Sequence, residues 1–482
     1  MSEVRDVGVN DLVVEGEATL RAGWRLAHLV GTEWDDHLEL AYVFLAGGDR
    51  RLEFRLRVPL DTPRVPSLSS LSFPAGRLER LVRDQFGVEF SDHVDPRPLL
   101  RHGHWPSDVY PLQTQGSPVE VGDDAAPYPF TRITTPGSYE IPVGPVHAGL
   151  IEPGHFRFSV VGETILHLSP RLWFVHRGLE RLAQGRPIEE VVSLAEVVSG
   201  DSAVAHSLAY LMAVEDALSV ELDEETYALR QGLVELERVT HHVADLGALA
   251  NDVGYSVGAA RALRLVDDLQ RTTASITGHR LGRGALRLGG VQWRVQPPAT
   301  YWRRVARDVG DLSSFILAHS IVRDRFEGTG EVASDVVTRL GVVGLIARAS
   351  GCPVDARHEH PWGREMTLRT QSSGDVRARF DQRVAEALDS LELLEHLADG
   401  HRDVVTRALR AATGVGVGVV EGWRGVVVHR VTLEGSTVRR WAPIDPSFFN
   451  WPALAPSLGE AIVADFPLIN KSFNLSYAGN DL

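Results

Sequence analysis

The chain has 482 residues, of which 44% are hydrophobic and 23% charged, the balance of a globular protein long enough for two or three domains. A formal charge of -15, with no dense basic run interleaved with aromatics, argues against nucleic acid as a partner. Cys352 is the only cysteine, so the chain by itself can hold neither a disulfide framework nor a thiolate-bridged metal centre, and a reducing compartment is expected.

Met1 to Asp6 lacks the basic-then-apolar order of a signal peptide, and no apolar run reaches the ~18 residues of a membrane-spanning helix. The chain is therefore expected not to cross a membrane. Residues 39–46 predict a strand, and Leu52, Phe54, Leu56 and Val58, alternating with Glu53, Arg55 and Arg57, predict a half-buried neighbour. Pro74 then opens a helical pattern through Leu78, Leu81, Val82 and Phe86, with Gly87 where a left-handed C-cap is wanted. These elements make a small α/β unit over residues 1–115.

Gly116, Pro118, Gly122, Pro127, Pro129, Pro136 and Gly137 punctuate a stretch without apolar periodicity, which places a linker at 116–138. The second unit, 139–482, begins with strands, since Phe156, Phe158 and Val160 alternate with polar residues and Gly162-Glu163 turns the chain into Thr164 to Leu168. Helical spacing predicts helices over 203–220, 223–250, 256–277, 299–327, 333–349 and 375–398, and strand alternation returns over 416–440 around Gly422 and Gly425. The fold class is α+β: a small α/β domain followed by a mainly helical bundle with peripheral strands.

Two constellations carry chemistry. Glu235, Arg238, His242 and Asp245 fall three or four residues apart and share one helical stripe, either a proton path or a solvated or ion-paired face. His147, Glu152 and His155 lie in a Gly/Pro-rich segment between strands, either a ligand loop or a turn with incidental histidines. No dinucleotide fingerprint and no serine nucleophile motif occurs.

Several stretches, in order, resemble the large subunit of the energy-converting nickel–iron hydrogenases and formate hydrogenlyase, related to the 49 kDa subunit of respiratory complex I. They are Gly144-Pro-Val-His-Ala-Gly-Leu-Ile-Glu-Pro-Gly-His-Phe-Arg-Phe158, His176-Arg-Gly-Leu-Glu-Arg181, Leu236-Glu-Arg238, Asn251-Asp252, Arg325 to Gly330, Ala347 to Gly351, Glu421-Gly-Trp-Arg-Gly425 and Asp465 to Ile469. The amino-terminal unit is similar to the complex I 30 kDa subunit at Arg83 to Gly87, Asp95-Pro-Arg97, Trp105-Pro106 and Tyr110-Pro-Leu112.

In nickel-binding members of this family two C-x-x-C pairs bridge nickel and iron. Here those positions correspond to Ser199 and Ser202, and to Ser476 and Gly479, so the resemblance implies that the chain itself holds no metal or other cofactor. The sequence also ends at Leu482, without the extension that nickel-binding members carry. By resemblance to complex I, the vacated pocket, with Gly200 and Asp201 at its edge, would accept a quinone or another small acceptor. The tyrosine that bonds the quinone in complex I aligns near Gly200 and is missing.

His147 matches the first histidine of the family's G-P-x-H loop, and Glu152 and His155 are candidates to join it in moving protons. His176 and Arg177 match the family's H-R-G, where the arginine approaches a partner's 4Fe-4S cluster; the rival reading is an ion pair with Glu180. The implied partners are an iron–sulfur small subunit like the complex I 20 kDa subunit and antiporter-like membrane subunits. They would hold the chain at the cytoplasmic face of the membrane, with any NADH dehydrogenase chemistry and NAD binding on other subunits of the complex. The alternative is a non-redox structural or coupling subunit.

Overall fold

A computed structural model describes residues 2–114, 127–148, 151–397, 412–459 and 461–482. In the amino-terminal unit β1 (Ser2–Asp6), α1 (Leu12–Arg21), β2 (Arg25–Glu33), β3 (Leu38–Ala46) and β4 (Arg50–Val58) follow one another, and the sheet order is β1-β4-β3-β2. The sheet is antiparallel except for β1, which pairs parallel with β4. β5 (Arg64–Pro66) and β6 (Glu89–Ser91) flank α2 (Phe73–Phe86) as a second, parallel pair. α2 starts where the Ser72 hydroxyl accepts the Ala75 N–H and stops at Gly87, whose φ of 78° suits only a residue without a side chain. Its Leu78, Val82 and Phe86 share one core with Tyr42, Phe44, Phe54 and Leu56.

β4 departs from the half-buried strand expected. Leu52, Phe54, Leu56 and Val58 face the core, but Glu53 on the opposite face is only 3% exposed. The second unit covers it: Arg430 donates to Glu53 at 3.0 Å and to Glu39 at 3.2 Å. Burial raises the Glu53 carboxyl, and the charge and hydrogen bonds of Arg430 more than reverse this, holding it at about 2. Two further contacts close the joint, from Arg440 to the Gly31 carbonyl at 2.9 Å and from His28 Nε2 to the Ala442 carbonyl at 3.1 Å.

Of the expected linker, 116–126 lies outside the described residues, and 127–137 forms no strand or helix. β7 (Ser138–Val143), β8 (His155–Val161) and β9 (Thr164–Arg171) then make an antiparallel meander. The helical body comprises α3 (Leu179–Ala183), α4 (Ile188–Ala195), α5 (Ala203–Ala217), α6 (Glu224–Asp252) and α7 (Ser256–Thr277). After the short pair β10 (Leu286–Arg287) and β11 (Gly290–Val291) come α8 (Ala299–Leu317), α9 (Ser320–Phe326), α10 (Ser334–Leu340), α11 (Gly344–Ala349), α12 (Ala356–Glu359) and α13 (Val376–His396).

Two expected helices are each divided. The 299–327 helix breaks into α8 and α9 at Ala318 and His319, and the 333–349 helix breaks into α10 and α11 where Gly341 takes a φ of 67°. α6 and α13 match their patterns, each opened by an aspartate, Asp223 or Asp375, that accepts a first-turn N–H.

β12 (Gly414–Glu421), β13 (Val426–Glu434) and β14 (Thr437–Ile444) form an antiparallel sheet, with Gly422 and Gly425 in the first turn as expected. β12 reads Gly-Val-Gly-Val-Gly, and a Cβ on Gly414, Gly416 or Gly418 would strike the α5 carbonyl of Ala217, Ala213 or Ala209. The α5 backbone therefore lies directly on the strand. The chain closes with α14 (Pro446–Asn450), α15 (Phe466–Phe473) and α16 (Tyr477–Asp481). Among the described residues no helix is long and apolar enough to cross a membrane.

Candidate functional site

Ser199 and Ser202 lie in the turn between α4 and α5, while Ser476 caps α16, which contains Gly479. The three serines are buried. Ser476 Oγ accepts the Gly479 N–H at 2.9 Å and lies 2.7 Å from Ser199 Oγ, which lies 2.8 Å from Asp201 Oδ1. A hydroxyl has one proton to give and an ionised carboxylate none, so the string runs one way, from Gly479 through Ser476 and Ser199 to Asp201. Arg424 ends it, gripping Asp201 at 2.7 and 2.6 Å while its Nε–H donates to the Asn474 carbonyl at 2.5 Å. Burial pushes the Asp201 carboxyl up, but Arg424 outweighs it and keeps the group well below the usual carboxylate range.

A second string approaches from the sheet. The Trp441 indole donates to His429 Nδ1 at 3.1 Å, so His429 carries its proton on Nε2 and donates to His206 Nδ1 at 3.0 Å. His206 Nε2 in turn donates to Asp445 at 2.9 Å. Burial, reinforced by the neighbouring imidazoles of His206 and His28, drives the His429 pKa well down, which suits this neutral role. Asp445 fills the space beside Gly479: a Cβ on Gly479 would come within 2.6 Å of its Cγ.

The nickel–iron centre of thiolate-bearing relatives does not fit these residues. Two hydroxyls are tied to each other, the third lies 3.4 Å from Arg424, and the Asp445 carboxylate packs against Gly479, which has no side chain to offer. Nor do the oxygen and nitrogen groups nearby converge, since His206 faces Asp445 whereas Asp201 faces Arg424. Among the described residues no group of three or more His, Cys, Asp or Glu side chains is arranged to hold a metal ion.

The remaining expected residues are brought close to this centre. His147 Nε2 donates to the Gly154 carbonyl at 2.7 Å, His155 Nδ1 to the Gly144 carbonyl at 3.2 Å, and Gly154 N to the Pro145 carbonyl at 3.0 Å. The imidazoles thus staple the loop shut, although residues 149 and 150 lie outside the described residues. Glu152 accepts the Ala478 N–H at 2.9 Å. His155 Nε2 is buried and has no partner among the described residues, and burial lowers the pKa of this ring, so it presents an unshared lone pair.

Arg177 does not pair with Glu180, which bonds Arg440 and Gln85 instead. Arg177 donates to the carbonyls of Val197, Val198 and Ala478 at 2.5, 2.9 and 3.0 Å, and so ties the turn before α5 to α16. His176 donates to the Asp481 carbonyl at 2.6 Å. Gly200 lies at the surface, so the missing tyrosine leaves no buried gap there. Cys352 is half-buried rather than fully buried.

The stripe on α6 proves to be buried and ion-paired. Arg238 donates to Glu235 at 2.8 Å, His242 donates to Glu386 of α13 at 3.2 Å, and Arg383 and Asn474 donate to Asp245 at 2.8 and 2.7 Å. Asn474 links the stripe to Arg424. Glu237 escaped the sequence reading, although it stands in the quoted Leu236-Glu-Arg motif. It receives the Val204 and Ala205 N–H groups at the start of α5, and burial raises it to about 8. Arg424 was also legible within Glu421 to Gly425. Asp445 gave only the signal of a helix cap before Pro446.

Models of the respiratory-chain NADH dehydrogenase 30 kDa and 49 kDa subunits match residues 17–118 and 252–403. Hydrogenase-4 component G of Escherichia coli is 32% identical over 484 residues, covering 96% of this chain and 82% of that protein. Formate hydrogenlyase subunit 5 of the same organism is 29% identical over 493 residues, covering 97% of this chain and 86% of that protein. The chain belongs to this family of hydrogenase large subunits, which are akin to the complex I 30 and 49 kDa subunits. A chain of the membrane-bound sulfane sulfur reductase, an archaeal respiratory membrane complex, has the same fold, with a TM-score of 0.66 and 22% identity over 73% of this chain and all of that one.

Proposed function

We propose that this chain is a coupling subunit of a membrane-associated oxidoreductase complex, in which the former metal site serves as a rigid joint. The observation that carries this reading is the one-way string from Gly479 to Asp201, closed by Arg424, which fills the thiolate positions with satisfied hydrogen bonds. An iron–sulfur subunit bearing a 4Fe-4S cluster would dock beside exposed Phe174, Arg177 and Gly200. Antiporter-like membrane subunits would anchor the assembly at the cytoplasmic face. In the purified complex, Ser476→Ala should lower the melting temperature of the subunit, while Glu152→Gln and His147→Ala leave acceptor-dependent turnover unchanged. A tenfold fall in turnover with melting unaltered would overturn this reading.

One observation favours a second reading, in which electrons pass from that cluster to a quinone or other small acceptor at the loop, outside the thiolate positions. The buried, unpartnered Nε2 of His155 would accept a hydrogen bond from the reduced acceptor, with His147 and Glu152 nearby to relay protons. Here His155→Phe, which keeps the ring volume, abolishes acceptor-dependent oxidation but not assembly.

A further inference from the structure

Where α2, the chain around Asp95, the end of β9 and Trp451 meet, there is a cavity of about 240 Å³. Its lining holds four guanidinium groups, those of Arg77, Arg80, Arg97 and Arg171, against the single carboxylate of Asp95. With His93 neutral, this is a net charge of +3 inside a protein whose overall charge is -15. His93 cannot add to the lining's donors, because its Nδ1 accepts the Asp95 N–H at 2.9 Å and its Nε2 donates to the Gly76 carbonyl at 2.9 Å.

Two of the arginines are paired with Asp95. Arg97 grips Asp95 with two bonds of 2.8 Å, and Arg80 donates to Asp95 at 2.7 Å and to the carbonyls of Arg97 and Pro98. The other two are not. Arg171 gives its terminal nitrogens to the Leu99 and Arg101 carbonyls but leaves a buried Nε without a partner among the described residues. Arg77 also has a buried Nε without a partner, forms no ion pair among the described residues, and rests 4.8 Å over the Phe448 ring. Burial and the charge of Arg80 pull Arg77 down to about 9. Buried unpaired donors of this kind are rare enough in folded proteins that each calls for a cause.

We propose that this cavity binds a small phosphate monoester, its dianionic phosphate held by Arg77 and Arg171 and its organic part against Phe73, Trp173 and Trp451. A doubly charged oxyanion matches the surplus better than a monocarboxylate, and guanidinium forks hold phosphate in paired hydrogen bonds. The volume lies below the roughly 300–1,000 Å³ of sites for drug-sized ligands, so the bound group is small.

The test is calorimetric titration of the full chain with inorganic phosphate and with phenyl phosphate, beside flotation with vesicles of neutral lipid with or without phosphatidic acid. Saturable binding is expected, tighter for phenyl phosphate, and at least tenfold weaker in Arg77→Gln. Phe73 is 41% exposed, so Phe73→Glu leaves the core intact and should repel the ligand equally even if the first variant misfolds. Arg264→Gln, in a separate surface cavity, should bind as the unaltered chain does. Flotation only with phosphatidic acid identifies a lipid headgroup as the source, and binding of soluble phosphate without flotation identifies a free monoester. If neither phosphate nor phosphatidate binds, or if Arg77→Gln and Phe73→Glu bind as tightly as the unaltered chain, the proposal falls. It falls equally if the only loss in these variants is co-purification with partner subunits, which would make Arg77 an anchor for a partner's carboxylate.

Discussion

The polar interior between α6 and α13 and the serine string at the thiolate positions hold the body together in opposite ways. Between the helices the groups are charged and redundantly paired. Arg348 alone meets Glu386 at 2.8 Å, Glu421 at 2.7 Å and Asp355 at 3.4 Å, and all four side chains are buried. Around Ser199 and Ser476 the links are neutral hydroxyls in single file, ending at an ion pair between partly exposed Asp201 and buried Arg424. A buried charge that loses its partner is costly, so charges survive inside only with several partners. A hydroxyl costs little to lose, so a site emptied of thiolates can be closed by small residues without much gain in stability.

The largest effect that sharpens this contrast is expected from Arg348→Met. It takes from Glu421 its one ion pair among the described residues and from Glu386 and Asp355 one partner each, and should lower unfolding free energy by about 3–5 kcal/mol in urea titrations. A loss under 1 kcal/mol would show that the network is no stronger than its neighbour. Next is Gly479→Ala, whose Cβ would press on Asp445 at 2.6 Å. Overpacking of this sort costs about 1–3 kcal/mol, and a neutral outcome would mean that Asp445 does not fill the space beside Gly479.

Glu237 gives a pH signature. Its carboxyl is protonated up to about 8 in the folded chain but ionises around 4.5 when unfolded. Folding therefore takes up a proton between those values, and stability falls as pH rises by about 1.4 kcal/mol per unit. Glu237→Gln should flatten that slope between pH 5 and 8, as read from melts across the range. Smallest is Ser476→Ala, about 1 kcal/mol, for a neutral hydroxyl removed together with its bonds to Gly479 and Ser199.

Much of the fold was legible because it rests on local rules. α2 and its glycine cap, the β8–β9 hairpin and the long α6 and α13 follow from alternation, spacing and capping. The break at Ala318 carried no glycine or proline to announce it, whereas Gly341 did mark the division between α10 and α11. Glu53 looked like a solvent-facing strand residue because its partner, Arg430, lies 377 positions away. The motifs point to Ser199, Ser202, Ser476 and Gly479, yet not to what surrounds them. Asp445, His206 and His429 come from a cap, a helix and a strand that only the folded chain brings together.

The run of glycines in β12 has a consequence for that site. Side chains between a helix and a sheet act as a compressible cushion, able to give when a neighbour changes size. With Gly414, Gly416 and Gly418 there is no cushion, and the gap between α5 and β12 is gauged by main chain on main chain. α5 carries His206 just beyond Ser202, and the sheet continues to Arg424 and His429. The spacing at which the two strings meet is thus set like a machined clearance, which later substitutions among the side chains cannot easily widen to readmit a larger guest.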